Sequence, residues 1–465
     1  MQTIERWGSA KSCWEIYFDK FSANEQAYLN YLEVCINLEQ DSIGLCETVA
    51  TKLNQNSKSI LIKYLKLLKK CDKLLSLENT SRLLLEQYPE EYKFFEWHFI
   101  ALYCQCKWQL AKEAYLKLVA KFNINIQDIT FSYLDVLWHL KEFDALESHY
   151  VKMIQKSYPQ ILEYFPSYDF LPERIAVAET IGDFERADKL RKQYQPPLER
   201  KNISKPIFDP KVECEYIHHS DANNVLLIFF SGLTFRIKKN FDKYRLDNLD
   251  DIKNDNKDIK SSFIRFAQRN TQYNMLMIND IYTSWQHMHR DEYLDYIKDI
   301  IVKNKYQTVV CIGVSSGGYA AMLYGQLLEA DLVFAFSPQT IPFFNYANYI
   351  AHLYKIQFSL GLGMESSLLR LQNQEHFKAR TYIVVSKDNG MDNLGLRLLD
   401  RSDKNLTIVQ CYGDEHVPIQ GLGVKNVYTE MCRIIDKIPK MKNHHCEIDD
   451  AFVGLPTFYS NKFAI

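Results

Sequence analysis

From about residue 10 to residue 194, apolar residues recur at intervals of three and four positions, as in the run Leu61, Tyr64, Leu65 and Leu68. This spacing predicts amphipathic helices that each bury one face. Only four prolines interrupt the segment, glycine is nearly absent, and no strand-like alternation persists. We therefore expect the N-terminal half to be all-α.

A weak internal repeat lies within this half. An aromatic residue followed three positions later by a small or aliphatic residue occurs at intervals of 35 and 41 residues; the pairs are Trp108 and Ala111, Phe143 and Leu146, and Phe184 and Ala187. The spacing is similar to that of tetratricopeptide-type helical hairpins, whose period is about 34 residues. Such stacks present a concave surface, so a protein partner for this region is one expectation. A helical bundle without repeats is the alternative.

The pattern changes after Tyr194. Pro196 and Pro197 open a polar stretch, after which apolar runs of strand length alternate with helical segments. The predicted strands are Val212–Ile217, Val225–Phe230, Met275–Ile278, Thr308–Ile312, Leu332–Phe336, Tyr382–Val385 and Leu406–Cys411. Continuous apolar strands separated by helices predict an α/β domain, with a mostly parallel sheet and helices on both faces. We expect a helical domain over 1–195, a linker with the first strand over 196–223, the α/β domain over 224–440 and a C-terminal tail over 441–465.

One predicted strand leads directly into Gly313-Val314-Ser315-Ser316-Gly317, a G-x-S-x-G sequence that a helical segment follows. In this strand–turn–helix context the central serine is a nucleophile carried on a strained turn. Glycine is needed two residues before and after it, because the backbone folds tightly on itself there. Ser315 is the predicted nucleophile, since Ser316, its rival, is not centred between the two glycines. A Gly/Ser-rich turn without chemical meaning is the alternative.

A serine hydroxyl needs a general base, and in this architecture the acid and the histidine follow the serine in the chain. His416 comes just after the last predicted strand and is the predicted base; a surface-loop histidine is the alternative. Asp388 comes just after the preceding strand and is the predicted acid that orients the imidazole. Asp392 is its main rival, and Asp414 is too close to His416 in sequence to orient it.

The oxyanion of a tetrahedral intermediate needs two N–H donors. The first is predicted to be the backbone N–H of Ser316, the residue after the nucleophile. The second should come from the loop after the strand Val225–Phe230, where the N–H of Gly232 or Leu233 is the candidate. A simple strand-ending turn is the alternative reading of that loop.

Charge and composition exclude several function classes. The formal net charge is −2 over 465 residues, so no bulk field draws the chain to nucleic acid or anionic lipid. No stretch approaches the roughly 18 apolar residues of a membrane span. The N-terminus lacks the features of a secretory signal, and the 11 cysteines show no pairing pattern, so we expect a cytoplasmic protein. No P-loop, Rossmann fingerprint or metal-ligand cluster is present, so we expect no metal and no bound cofactor.

With these residues in place, the segment from about 224 to 440 resembles the α/β-hydrolase superfamily. The elbow Gly313-Val314-Ser315-Ser316-Gly317-Gly318, with Phe336-Ser337-Pro338-Gln339 one strand later, is similar to a bacterial subgroup associated with surface and capsular polysaccharides. That subgroup includes polysaccharide O-acetyltransferases and esterase-like proteins. The resemblance implies acyl-ester chemistry with Ser315, Asp388 and His416 as the triad. The aromatic-rich insertion between Pro338 and His376 is then either a lid over an acyl pocket or a packed helical excursion.

The leading hypothesis is an enzyme that forms an acyl-Ser315 intermediate. Transfer of the acyl group to water makes it an esterase; transfer to a carbohydrate hydroxyl makes it an O-acyltransferase, with acetyl-CoA as candidate donor. The alternative is a scaffold whose helical repeats bind a partner and whose hydrolase domain is degenerate. In the first hypothesis residues 1–195 select the substrate or partner, because they offer no cluster of nucleophile, base and orienting acid.

Overall fold

The computed structural model divides the chain into two compact units, Met1–Glu142 and Phe143–Ile465. It describes residues 2–20, 25–37, 46, 57–122, 127–157, 170–193, 207–220, 224–232, 263–281, 285–340, 377–387, 389–397, 399–411, 416, 418–419, 424–438 and 458–460. The second unit holds the sheet and also the last helices that precede it. The domain boundaries near residues 195, 223 and 440 stay predictions.

The first unit consists of helices throughout its described part, as the periodicity predicts. They are α1 Gln2–Lys20, α2 Glu25–Asn37, α3 Ser57–Lys70, α4 Leu74–Gln87, α5 Tyr92–Cys104, α6 Trp108–Phe122 and α7 Gln127–His139. The predicted apolar stripe of Leu61, Tyr64, Leu65 and Leu68 is buried along one face of α3 in a common core. Each of the helices α3 to α6 packs against the next along the chain. Among the helices described, none is both long enough and apolar enough to cross a membrane.

The second unit begins with three more helices and continues into the α/β region. Its helices are α8 Phe143–Ser157, α9 Leu171–Thr180, α10 Phe184–Gln193, α11 Pro210–Glu213, α12 Ile264–Arg269, α13 Arg290–Asn304, α14 Ser316–Leu327, α15 Gly390–Gly395 and α16 Val424–Ile435.

The three aromatic residues of the predicted repeat occupy equivalent places, because each is the first residue of its helix: Trp108 of α6, Phe143 of α8 and Phe184 of α10. Two residues before each of them the backbone turns through a positive φ, at Cys106 (57°), Lys141 (58°) and Gly182 (79°). The next N–H then closes the preceding helix with a bond to the carbonyl five residues back, as from Lys107 to Leu102 at 3.0 Å. This shared turn accounts for the recurring break before each aromatic residue. The tetratricopeptide resemblance itself stays a prediction.

Eight strands form one sheet within the described residues, in the order β1-β3-β2-β4-β5-β6-β7-β8. They are β1 Cys214–Ile217, β2 Val225–Phe230, β3 Asn274–Ile278, β4 Thr308–Val314, β5 Leu332–Phe336, β6 Arg380–Ser386, β7 Leu406–Cys411 and β8 Phe458–Ser460. The six strands from β2 to β7 run parallel to their neighbours, and β1 and β8 are antiparallel at the two edges.

Helices cover both faces of this sheet, which is why its strands are apolar at consecutive positions. Every residue of β2, Val225–Phe230, is buried. On one face α12 and α16 share a core with alternate strand residues such as Ile312. On the opposite face Tyr324 of α14 stacks on Phe230 at a centroid distance of 5.0 Å. The alternation of side chains along each strand therefore buries every second residue against a different helix layer.

Two details at the sheet edges differ from the sequence pattern. The first strand begins at Cys214 and not at Val212, because Pro210–Glu213 forms a helical turn capped by Asp209, whose carboxylate accepts from the Lys211 N–H at 3.1 Å. At the other edge, three residues of the predicted C-terminal tail form β8 and pair with β7.

A helical N-terminal region followed by a mostly parallel sheet, with helices on both of its faces, confirms the predicted fold class, an all-α region before an α/β domain. The chain runs from β2 outward to β3 and then crosses back to β4, so the order of strands reverses between β2 and β4. In open α/β sheets ligands bind beyond the carboxyl ends of the strands at such a reversal. We therefore expect a ligand to bind beside the residues that follow β2 and β4.

Candidate active site

Ser315 occupies the sharp turn between β4 and α14. Its backbone has φ 61° and ψ −123°, a conformation that residues other than glycine seldom adopt. Its N–H donates to the carbonyl of Phe336 at 2.8 Å, and its carbonyl accepts from the N–H groups of Tyr319 at 3.1 Å and Gln339 at 3.2 Å. Helix α14 and the segment around the end of β5 thus hold the turn from two sides, and the Ser315 side chain is only partly buried.

The glycines beside Ser315 are required by close backbone approach. A Cβ on Gly313 would lie 1.9 Å from the carbonyl oxygen of Gly317, so the two flanks of the turn touch each other. A Cβ on Gly317 would lie 2.2 Å from the carbonyl oxygen of Phe230 at the end of β2. Any side chain at either position would push α14 away from the strands that hold the nucleophile.

His416 lies between Ser315 and a carboxylate. Its Nε2 is 2.8 Å from Ser315 Oγ, and its Nδ1 is 2.8 Å from Asp392 Oδ1. A carboxylate oxygen only accepts, so Nδ1 carries the proton and donates, which leaves Nε2 of the neutral imidazole to accept from the serine hydroxyl. In this arrangement the histidine can remove the hydroxyl proton as the serine attacks.

Asp392 is supplied by the first turn of α15. The side chain of Asn389 caps this helix by accepting from the Asp392 N–H at 2.9 Å. The side-chain amide of Asn393 donates to the carbonyls of Lys387 at 2.7 Å and Asn389 at 2.8 Å, which ties α15 to the end of β6. The Asp392 side chain is almost completely buried, so the carboxylate is fixed against the imidazole.

Among the described residues, the carboxylate on His416 is that of Asp392, which the sequence pattern ranks second to Asp388. Asp388 and Asp414 both lie outside the described residues. Asp388 is the second residue after β6, and α15 begins two residues later; the carboxylate beside His416 belongs to the first turn of that helix. With six residues, α15 is too short to leave a periodic signal in the sequence.

Two of the three predicted oxyanion donors lie beside the nucleophile, and the third, Leu233, lies outside the described residues. Ser316 is the first residue of α14, so its N–H is among those without an acceptor inside the helix. A Cβ on Gly232 would lie 3.7 Å from the Cβ of Ser315 and 3.0 Å from the carbonyl oxygen of Val314. The end of β2 therefore runs along the nucleophile turn.

Two opposing effects act on the pKa of His416. Burial lowers it, whereas the hydrogen bond to Asp392 and the negative charge of that carboxylate raise it. The outcome is a pKa above the 6.5 that is ordinary for histidine. Asp392 thus favours the protonated imidazole that forms when Ser315 gives up its proton.

The turn after β5 contributes contacts that the sequence pattern did not identify. The sequence singles out Phe336-Ser337-Pro338-Gln339 only through a family resemblance. In the structure, the Phe336 carbonyl accepts from the Ser315 N–H, and the Gln339 N–H donates to the Ser315 carbonyl. Its position at the end of the strand beside β4 is the signal that could have revealed this. The residue before the proline, Ser337, has a positive φ of 43°.

The two histidines after β3 have partners within the protein. His289 Nδ1 lies 2.8 Å from Glu213 Oε2, and His287 Nε2 lies 3.0 Å from the Tyr319 hydroxyl. Within the described part of the chain, no group of three or more His, Cys, Asp or Glu residues could hold a metal ion. The expectation that no metal takes part stays a prediction.

No family model matches the sequence, and no curated relative matches it. Among solved structures, MenH from S. aureus aligns with a TM-score of 0.32 and 11% identity, over 49% of this chain and 99% of its own. MGS-MChE2, an α/β hydrolase enzyme from the metagenome of sediments from the lagoon of Mar Chica, Morocco, aligns with a TM-score of 0.29 and 12% identity, over 50% of this chain and 96% of its own. At such scores neither similarity bears on activity or substrate.

Proposed function

We propose that the chain is a serine-dependent acyl-ester enzyme, an esterase or O-acyltransferase that works through an acyl-Ser315 intermediate. The observation that carries the proposal is the continuous hydrogen-bonded series Ser315–His416–Asp392, with both distances at 2.8 Å. The proposed nucleophile, base and acid come from three different segments of the chain, which follow β4, β7 and β6. A degenerate domain has no reason to retain this geometry.

In the acylation step, Ser315 Oγ attacks the acyl carbonyl while His416 Nε2 takes its proton. Asp392 stabilises the imidazolium that results. The oxyanion accepts hydrogen bonds from the N–H of Ser316 and from the N–H of Gly232 or Leu233 after β2. His416 then gives its proton to the departing oxygen or sulfur as the bond to the acyl carbon breaks, which releases an alcohol from an ester or coenzyme A from acetyl-CoA.

In the second step an acceptor hydroxyl attacks the acyl-Ser315 ester, and His416 takes the acceptor's proton. Ser315 recovers its proton from His416 as its bond to the acyl group breaks. Water as acceptor gives hydrolysis, and a sugar hydroxyl gives O-acyl transfer. We propose a surface or capsular carbohydrate as the acceptor, on the resemblance of the elbow and the Ser337-Pro338-Gln339 turn.

The Ser315→Ala variant tests the proposal. We expect it to lose turnover of p-nitrophenyl acetate by several orders of magnitude and to lose labelling by a fluorophosphonate probe, because it removes the hydroxyl that lies 2.8 Å from His416 Nε2. Its circular dichroism spectrum should match that of the wild type, since the side chain is only partly buried. Ser316→Ala is the matched control, because it removes the rival hydroxyl and keeps the backbone N–H.

Turnover of Ser315→Ala within about tenfold of the wild type would rule out Ser315 as the nucleophile. A second measurement separates the two reactions. Incubation with acetyl-labelled acetyl-CoA, with and without an oligosaccharide, shows whether label passes to a sugar hydroxyl or is released as acetate.

A further inference from the structure

Ser231 connects β2 to the loop of the predicted oxyanion donors. Its N–H, hydroxyl and carbonyl all form hydrogen bonds with the end of β3 or with the segment that follows it. Its N–H donates to the carbonyl of Ile278 at the end of β3 at 3.0 Å. Its Oγ accepts from the N–H of Asp280 at 2.9 Å, and its carbonyl accepts from Nε2 of Gln286 at 3.0 Å. The segment after β3 therefore determines how β2 ends.

Gln286 is the unusual member of this set. It is completely buried, and its backbone φ of 58° follows a φ of 54° at Trp285, so two consecutive residues adopt the left-handed conformation. The N–H of Trp285 donates to Asp280 Oδ2 at 2.7 Å, and the carbonyl of Gln286 accepts from the Tyr324 hydroxyl at 2.7 Å. Left-handed backbone at residues other than glycine is strained and persists where the surroundings enforce it.

These contacts place the side-chain amide of Gln286 against the peptide group between Ser231 and Gly232. The carbonyl of Ser231 and the N–H of Gly232 belong to the same planar unit and point in opposite directions. A hydrogen bond to that carbonyl therefore sets the direction of the Gly232 N–H. Gly232 in turn lies beside Ser315, since a Cβ on it would be 3.7 Å from the serine Cβ.

We infer that Gln286 is a positioning residue of the oxyanion site: its Nε2 holds the Ser231–Gly232 peptide so that the donors after β2 face the acyl oxygen. The inference rests on the proposed function. Gln286 does not touch the triad, so its loss should reduce stabilisation of the transition state without changing the protonation of His416. Removal of one oxyanion donor costs about a hundred- to a thousandfold in kcat, and the displacement of a donor should cost less.

The test compares Gln286→Met with Gln326→Met. The first keeps the length of the side chain and removes the Nε2 donor. The second makes the same substitution in α14 at the opposite end of the sheet, where Gln326 accepts from the N–H groups of Lys378 at 2.7 Å and Ala379 at 3.2 Å. Turnover of p-nitrophenyl acetate is measured per active site titrated with a fluorophosphonate, and hydrogen exchange is followed in the peptide over residues 225–232.

We expect Gln286→Met to lower kcat about ten- to a hundredfold with KM within about twofold and with an unchanged pH midpoint. Amide exchange at Ser231 and Gly232 should become about fivefold faster. Gln326→Met should change neither quantity. If Gln286→Met does not fold, Tyr324→Phe replaces it, because it removes the hydroxyl that holds the Gln286 carbonyl and should lower kcat in the same sense by about threefold.

An unchanged kcat in the folded variant, or a raised KM at constant kcat, overturns the inference while the proposed function stands. Unchanged exchange at Ser231 and Gly232 overturns it as well, whatever the kinetics. A wild type that neither turns over the ester nor reacts with the probe overturns the proposed function and, with it, the catalytic part of the inference. The exchange measurement then still decides whether Gln286 holds this peptide.

Discussion

Single replacements of Asp392 and Asp388 show which carboxylate orients His416. We expect Asp392→Asn to lower kcat by roughly four orders of magnitude, because an asparagine amide favours the wrong imidazole tautomer. Asp388→Asn is the matched control and should stay within about twofold of the wild type, since His416 already has its carboxylate partner at 2.8 Å. Both are measured with p-nitrophenyl acetate at saturating concentration. The reverse order of the two effects would return the role to Asp388.

The pH dependence of the site follows from His416. Its pKa is raised above 6.5, and the imidazole must be neutral to accept the serine proton. We therefore expect kcat/KM to be low in acid and to rise with pH through a midpoint above 6.5. In Asp392→Asn the raising effects are lost and burial remains, so the midpoint of the residual activity should move down. A profile that is flat from about pH 5 to 8 would remove His416 from the mechanism.

At the scale of elements, the elbow depends on how closely α14 approaches β2. Gly317→Ala places a Cβ 2.2 Å from the carbonyl oxygen of Phe230, where only movement of backbone can relieve the clash. We expect a lower Tm and a loss of ester turnover of at least about a hundredfold, because the nucleophile moves with the helix. Gly8→Ala in α1 is the control; its Cβ meets nothing within 4 Å.

The Gly8→Ala variant should keep full turnover and be equal to or slightly more stable than the wild type, since glycine inside a helix costs roughly 0.5–1 kcal/mol relative to alanine. Wild-type turnover in Gly317→Ala would mean that β2 and α14 tolerate a wider separation than this geometry allows.

At the scale of the molecule, the compact units suggest where the chain can be divided. The unit that carries the triad begins at Phe143 and includes α8 to α10. Buried residues of α9 and α10 form their own apolar cluster, Leu171, Ile175, Ala178 and Ala187. We expect a chain that begins at residue 143 to stay soluble and to turn over p-nitrophenyl acetate, because it keeps this cluster and the triad.

A chain that begins near Lys201 tests the boundary predicted from Pro196 and Pro197. It lacks α8 to α10, which belong to the same compact unit as the triad, so we expect a lower Tm than that of the 143–465 chain. Activity on the natural acceptor is measured for the 143–465 chain and for the full-length protein. The difference between them shows whether the first unit selects the substrate. A folded 143–465 chain without small-ester turnover would mean that the first unit completes the active site.

Local patterns were sufficient to predict most of the strands, the helical character of the N-terminal region and the turn that carries Ser315. The strands β2 and β5 begin and end where their apolar runs do, because a strand covered on both faces is apolar at every position. Ser315 could be found because its turn imposes glycine on both sides within five residues. His416 could be found because it follows the last long strand. In each case the physical cause lies within one short segment of the chain.

The carboxylate beside His416 and the surroundings of Gly232 depended on the tertiary structure. Asp388 and Asp392 both follow β6, and only the cap at Asn389 and the short helix after it determine which carboxylate meets the imidazole. Gln286 left no trace in the sequence, because its contact with Ser231 joins residues 55 positions apart. The amino-acid sequence by itself determined where most helices and strands form and which types of side chain follow the strands. The folded chain decided which distant side chains meet, since long-range contacts depend on how strands and helices pack and not on local periodicity.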